Sequence, residues 1–346
     1  MKSIFLISMG SLKAGFLSFV DPLRLDESLF NGSAMTRRGA FAAIAYMASA
    51  VLLLIFNKAA LSSFHFPSGN VITICQIICS CTFLYILRHW KIISFSAAYS
   101  LNESDDSADL VPFKTLVQTL PIALSYLLYM AVSMESVRGI NVPMYTTLRR
   151  TAVAFTMAME YLLTRKNYSF SVFCCVSLIV FGAIVAGAQD LSFDYYSYGV
   201  VFICNLSSAI YVTTVAHYGK SLGLNSFGLI WCNGIISGPI LLCWTFFRGD
   251  LERTIEYPYL YVPAFQAVIL LSCIMAFLLN YFSFMNTILN SALTQSICQN
   301  LKDFFTVILG WIVFGGLPFD PLNVIGQCIG FAGAGFYAYC QLREKQ

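Results

Sequence analysis

Long runs of apolar residues follow one another along this chain, separated by short polar or Pro/Gly breaks. Read from those breaks, the pattern predicts helices near 38–61, 70–88, 112–134, 143–163, 170–188, 198–217, 226–247, 262–284, 291–314 and 321–341. Each is close to the ~20 residues that cross a hydrocarbon core. Most connections are short, which predicts a compact bundle with little outside the bilayer. The longest, 89–111, carries Glu103, Asp105, Asp106 and Asp109 and reads as solvated. At the start, Ile4-Phe5-Leu6-Ile7 is too short and too soon broken by Ser8, Gly10 and Lys13 for a signal peptide. Residues 1–36 therefore read as a cytosolic tail ahead of a ten-helix domain over 37–342.

Composition agrees with the pattern. Hydrophobic residues make up 58% and charged residues 11%, against about 25% charged in an ordinary soluble domain. Mean hydropathy is +0.73. The fold class is an all-α polytopic membrane protein with about ten transmembrane helices. A soluble enzyme, a disordered chain, a fibrous protein and a single-pass receptor are excluded. Net charge is only +3 and the basic residues form no stripe, so nucleic acid is not a partner. The 12 cysteines sit almost entirely in apolar runs without histidines at ligand spacing, which predicts packing roles and no metal.

Charge placement orients the bundle. With both termini cytosolic, 13 basic residues fall on the cytosolic side and 3 (Arg138, Arg248 and Arg253) on the other. Four sequons, at Asn31, Asn102, Asn167 and Asn205, are then expected to carry no glycan. Leu148-Arg149-Arg150 in span 4 is echoed five spans later by Leu301-Lys302-Asp303 in span 9. An odd offset reverses orientation, so the expected architecture is two inverted five-helix repeats, about 37–190 and 197–342, with a ligand near the midplane.

The remaining basic residues lie within spans: Lys58, Arg149, Arg150 and Lys302. Each costs about 2.5–3.5 kcal/mol at a helix centre. Asp303 and Glu160 are too few to balance them, which leaves surplus positive charge and points to an anionic ligand of nucleotide-diphosphate character. Adjacent helical residues point about 100° apart, so Arg149 and Arg150 cannot both face one cavity squarely. Lys58 is close enough to a span end to snorkel. Asn57, Gln76, Asn205, Asn233, Asn280, Gln295, Gln299 and Asn300 are either ligand contacts or interhelical ties. Tyr126, Tyr129, Tyr145, Tyr211 and Trp231 are candidates to stack on a base. Enzyme chemistry has little support: there are three histidines, all near span ends, and Gly219-Lys220-Ser221 lacks the strand and first glycine of a phosphate loop.

Four stretches carry a family resemblance: Phe56-Asn57-Lys58, Asn141-Val-Pro-Met-Tyr-Thr-Thr-Leu-Arg-Arg150, Trp231-Cys-Asn-Gly-Ile-Ile-Ser237, and Asn300-Leu-Lys-Asp303 with Phe314-Gly-Gly316. Over about 37–342 the chain resembles nucleotide-sugar transporters of the drug/metabolite transporter superfamily, most of all the UDP-sugar branch and its plant-type UDP-N-acetylglucosamine and UDP-N-acetylgalactosamine carriers. The stretches Ser291–Gln295 and Gly316–Gly326 add to that likeness. The resemblance implies ten helices in two inverted halves and import of a UDP-sugar into the Golgi lumen in exchange for UMP, with no cofactor. By motif, Asn233 and Ser237 match a ligand-contacting segment of GDP-mannose carriers, with Gly234 in place of a second Asn. Lys302 matches their motif lysine, but Cys298, Gln299, Asn300 and Leu301 before it depart from the guanine-type pattern, which favours uracil. The implied substrate-binding set is Lys58, Arg149, Arg150, Asn233, Ser237, Asn300 and Lys302. The C-terminal Arg343-Glu344-Lys345-Gln346 lacks a dilysine retrieval signal, which favours Golgi over endoplasmic reticulum. The rival readings are a carrier of UDP-glucuronic acid or UDP-galactose, a plastid-type phosphate-ester exchanger, and a non-transporting receptor or scaffold. The small-residue stretch Gly330–Gly335 packs helices either within one chain or between two, as in a homodimer.

Overall fold

The computed structural model describes residues 35–95, 111–136, 142–187, 195–314 and 321–343. The N-terminal tail, the sequons at Asn31 and Asn102, Arg138 and the Gly316 motif lie outside the described residues. The regular structure of the described chain is helical: α1 (Arg37–Lys58), which runs on as a π-helical turn (Ala59–Ser63), α2 (Gly69–His89), α3 (Phe113–Gln118), α4 (Leu120–Ser136), α5 (Val142–Arg149), α6 (Ala152–Thr164), α7 (Phe170–Gly187), α8 (Tyr195–Ser221), α9 (Ser226–Phe247), α10 (Asp250–Ile255), α11 (Pro263–Leu289), α12 (Ala292–Phe314) and α13 (Pro321–Arg343). Among the described residues six helices are long and apolar enough to cross a membrane: α1, α2, α7, α8, α9 and α11. Hydrocarbon offers the backbone no hydrogen bonds, so apolar segments of this length satisfy themselves as helices.

The ends follow local chemistry. Thr36 Oγ1 accepts from Gly39 N at 3.1 Å to start α1, and Asn225 Oδ1 accepts from Gly228 N at 3.0 Å to start α9. Glu160 reaches across from α6, and its Oε2 accepts from Leu293 N at 3.0 Å at the start of α12. The sequence pattern misses three features. The expected helix over 112–134 is divided at Thr119, because Pro121 has no N–H to continue the ladder. The helix expected to end at 284 continues to Leu289, since Asn286 and Thr287 are buried rather than in a loop. Span 4 is broken between Arg149 and Ala152.

Packing uses close glycine contact and a few polar ties. α7 and α13 meet through Gly182, Gly326, Gly330 and Gly333; a Cβ on Gly326 would lie 2.4 Å from the Gly182 carbonyl oxygen. Gly330 and Gly333 therefore pack within the chain, while Gly335 faces open space. Gln76 Nε2 donates to Asn57 Oδ1 (3.1 Å) and Ser272 Oγ (2.7 Å), joining α1, α2 and α11. A second knot ties α1, α11 and α12: Asn290 Nδ2 donates to the Gly39 carbonyl (3.0 Å), and Asn286 Nδ2 donates to Gln295 Oε1 (2.5 Å). Helix pairing is itself patterned. α1 packs on α11 as α4 packs on α8, α6 on α8 as α12 on α1, and α2 on α11 as α9 on α4.

Gly326→Leu is expected to overpack the α7–α13 seam at a cost of about 1–3 kcal/mol. A thermal melt in detergent should show a drop of a few degrees, with Gly335→Leu unchanged as the control. Equal melts for both variants would mean that the seam is not closely packed.

Candidate substrate site at a broken helix

Arg149 closes α5 and Ala152 opens α6, so Arg150 and Thr151 form the break. Hydrogen bonds through this stretch run three residues back rather than four: Arg150 N to Thr147 O (3.2 Å), Thr151 N to Leu148 O (3.1 Å) and Ala154 N to Thr151 O (3.0 Å). Such a 3₁₀ stretch inside a span needs repair in a low-dielectric interior. Two amides from distant helices supply it. Asn205 of α8, fully buried, donates from Nδ2 to the Leu148 carbonyl (2.9 Å) and to Thr151 Oγ1 (3.0 Å). Asn300 of α12 donates to the Arg150 carbonyl at 3.1 Å.

The break aims Arg149 into a tyrosine cluster. Its Nη2 donates to Tyr129 Oη at 3.1 Å and its Nη1 to Cys204 Sγ at 3.2 Å. The guanidinium lies over the rings of Tyr129 (5.4 Å) and Tyr145 (6.0 Å). Tyr211 stacks parallel to Tyr129 at 6.2 Å and touches Tyr126 at 5.6 Å. Lys302 comes from α12 to the same neighbourhood. Its Nζ donates to Asp303 Oδ1 at 2.9 Å with the side chain 29% exposed, and Tyr46 and Tyr129 lie within its electrostatic reach. Asp303 acts on Arg149 as well. Two cations and one carboxylate thus lie within electrostatic reach of one another beside a cluster of aromatic rings. That arrangement favours a ligand with phosphate charge at one end and a flat ring at the other.

The other sequence candidates lie elsewhere. Arg150 is buried on a different side of the broken helix, in a crevice with Asn300, Gln327, Gly330 and Phe331. The adjacent arginines do diverge. Lys58 is exposed at the end of α1, roughly 18 Å along the helix from Tyr46 at 1.5 Å per residue. Ser237 is fully buried and donates to the Asn233 carbonyl at 2.5 Å within its own helix. Asn233 Oδ1 is buried without a hydrogen-bond partner. Among the described residues, Asn233 and Ser237 make no hydrogen bond to the Arg149–Lys302 cluster. Trp231 stacks on Phe95 at 5.7 Å instead of on the tyrosines. Tyr46 and Cys204 were not legible as site residues. Tyr46 did leave a signal, a large phenol closing the small-residue run Ala42-Ala43-Ile44-Ala45.

Residues 37–338 match the Triose-phosphate Transporter family. The chain belongs to that family. It is 62% identical over 92% of both chains to the UDP-N-acetylglucosamine transporter UGNT1 of Arabidopsis thaliana. It is 27% identical to the Arabidopsis UDP-galactose/UDP-glucose transporter 7, over 88% of this chain and 90% of that one. It is 24% identical to the Arabidopsis GDP-mannose transporter GONST1, over 89% and 90%. Within the family, then, it stands with the nucleotide-sugar transporters, and it is a transporter rather than an enzyme. A solved crystal structure shares the fold at a TM-score of 0.57 and 10% identity, over 88% of this chain and 98% of that one.

Asn205→Ala strips the Leu148 carbonyl and Thr151 of a buried donor. Its expected cost is about 1–3 kcal/mol, read as a lower melting temperature of the purified protein in detergent. An unchanged melt would show that the break holds without this amide.

Proposed function

We propose that this protein is an antiporter that carries a UDP-sugar, foremost UDP-N-acetylglucosamine or UDP-N-acetylgalactosamine, into the Golgi lumen in exchange for UMP. The observation that carries the reading is Arg149, half-buried at a helix break among tyrosine rings, with Asp303, the partner of Lys302, within its electrostatic reach. A half-buried cation held against neutral phenols within a span is costly until an anion arrives. Arg149 would grip phosphate oxygens through its fork and Lys302 as a point charge. A uracil would lie against the Tyr129–Tyr211 faces. Asn233, with its unpartnered buried oxygen, remains the candidate contact for ribose or sugar. Asn300 and Ser237 support the backbone in this conformation, and Lys58 and Arg150 enter only if the bundle rearranges. The 62% identical relative favours the N-acetylglucosamine nucleotide over other UDP-sugars.

The architecture that suits this cycle is ten spans in two inverted repeats over about 37–190 and 197–342. Its support is the helix pairing. Exchanging each span with the one five later turns α1–α11 into α8–α4, α6–α8 into α12–α1, and α2–α11 into α9–α4, all observed pairs. The same exchange relates Arg149 in α5 to Lys302 in α12. A two-fold-related pair of cations from broken or facing helices is the arrangement expected of a carrier that rocks about a midplane site. The basic-residue asymmetry supports a topology with both termini in the cytosol.

The test is counter-exchange in proteoliposomes loaded with UMP and offered labelled UDP-N-acetylglucosamine, with UDP-N-acetylgalactosamine, UDP-glucuronic acid, UDP-galactose and GDP-mannose as competitors. Uptake should require internal UMP and be competed by the UDP-N-acetylhexosamines. Competition by another UDP-sugar would move the substrate, and no UMP-dependent uptake by folded protein would remove the claim. Arg149→Ala and Lys302→Ala should each lower uptake on the order of 100-fold, the worth of one charge-assisted hydrogen bond, with monodispersity retained. Normal uptake by both would sink the site assignment. For orientation, exposed Asn167 between α6 and α7 should carry no glycan. A glycosidase-sensitive mobility shift lost in Asn167→Gln would reverse the topology.

A further inference from the structure

Asp303 and Arg150 have a relation that the substrate reading leaves unused. Asp303 holds Lys302 at 2.9 Å and is 26% exposed. It stands one turn beyond Asn300 on the same face of α12, and Asn300 donates to the Arg150 carbonyl at 3.1 Å. Asp303 therefore lies one helical turn from the contact with the Arg150 backbone and within electrostatic reach of the Arg150 guanidinium. Arg150 is 5% exposed, yet its Nε has no hydrogen-bond partner and among the described residues its guanidinium makes no ion pair. A buried charged donor left in that condition is expensive.

We propose that Asp303 is an internal stand-in for the substrate phosphate. It neutralises Lys302 in the empty carrier, yields it to the arriving diphosphate, and turns to Arg150 while the ligand is bound. The motion needed is a rotamer change of Asp303 with an adjustment of the 3₁₀ break that carries Arg150. Lys302 is then compensated in both states, and Arg150 once the ligand is bound. The ligand must out-compete a carboxylate, which weakens binding and speeds release, as a carrier requires on both sides of the membrane. Arg150 acts through Asp303 and is a positioning residue, not a ligand contact. The inference rests on the reading of Lys302 as a phosphate site.

The test is a double-mutant cycle on detergent-purified protein, with binding of UMP and of inorganic pyrophosphate measured for wild type, Asp303→Asn, Arg150→Gln and the double variant. Asp303→Asn should tighten UMP about tenfold and lower the maximal exchange rate by a similar factor. Arg150→Gln should weaken UMP several-fold alone and leave the affinity unchanged in the Asp303→Asn background. Asp303→Glu should keep the wild-type order of affinities, and thermal melts exclude misfolding. Weaker binding by Asp303→Asn would overturn the proposal, because Asp303 would then be positioning Lys302 for the ligand. Equal losses from Arg150→Gln in both backgrounds would overturn it as well, by making Arg150 a direct contact. Wild type that binds pyrophosphate but not UMP, with the same cycle in pyrophosphate, would support the exchange of partners while removing the uridine reading. Binding of neither would overturn both.

Discussion

A backbone in hydrocarbon has no water to turn to, and span 4 breaks its helix all the same. That constraint organises the centre of the molecule. The carbonyls of Leu148 and Arg150, left with bonds from only three residues on, also accept from Asn205 of α8 and Asn300 of α12. The two amides pin helices from far along the chain to one turn, and that turn aims Arg149 at the tyrosines and Arg150 away from them. A continuous helix would separate the two arginines by only the usual 100°. Polar residues that look expensive in a bilayer are thus what makes the irregular backbone tolerable.

The same logic explains which polar residues are structural. Asn57, Gln76 and Ser272 satisfy one another between three helices. Asn286, Asn290 and Gln295 form a second set in which Asn290 Oδ1 is left without a partner, and Gly39 is required there because a Cβ would lie 2.1 Å from that oxygen. Groups with satisfied partners are poor ligand contacts, since a ligand would first have to break them. Asn233 Oδ1, buried and unsatisfied, is the opposite case.

Much of the fold was legible from apolar run lengths, because the bilayer imposes one length on every crossing. The boundaries of α7 and α9 fall within a residue of expectation. The break at Arg150 was not legible, because the nearby proline, Pro143, lies a full turn and more before it, and the groups that stabilise it are distant in sequence. Pro121 did signal the division of α3 from α4 and was read through as part of one apolar run. Of the candidate site, Arg149 and Lys302 were legible because an uncompensated charge in a span is conspicuous in one dimension. Their aromatic wall was half legible: Tyr129, Tyr145 and Tyr211 stood out as polar-tipped rings, and Trp231 did so equally while packing on Phe95 instead. Ring type gives no direction, and direction is set by packing.

Lys58 shows the limit of charge counting. Its cost depends on depth, and the end of α1 lets it reach an interface. Arg149 has no such exit from the middle of the bundle, and its neighbours offer dipoles and ring faces in place of full negative charge. Neutral partners hold a guanidinium in place without cancelling its field, whereas a carboxylate directly on it would spend that field before a ligand arrived. The one direct carboxylate contact in the cluster falls on Lys302. One cation therefore keeps its attraction for phosphate while the other is restrained, so the pair can capture an anion without holding it too tightly to let go.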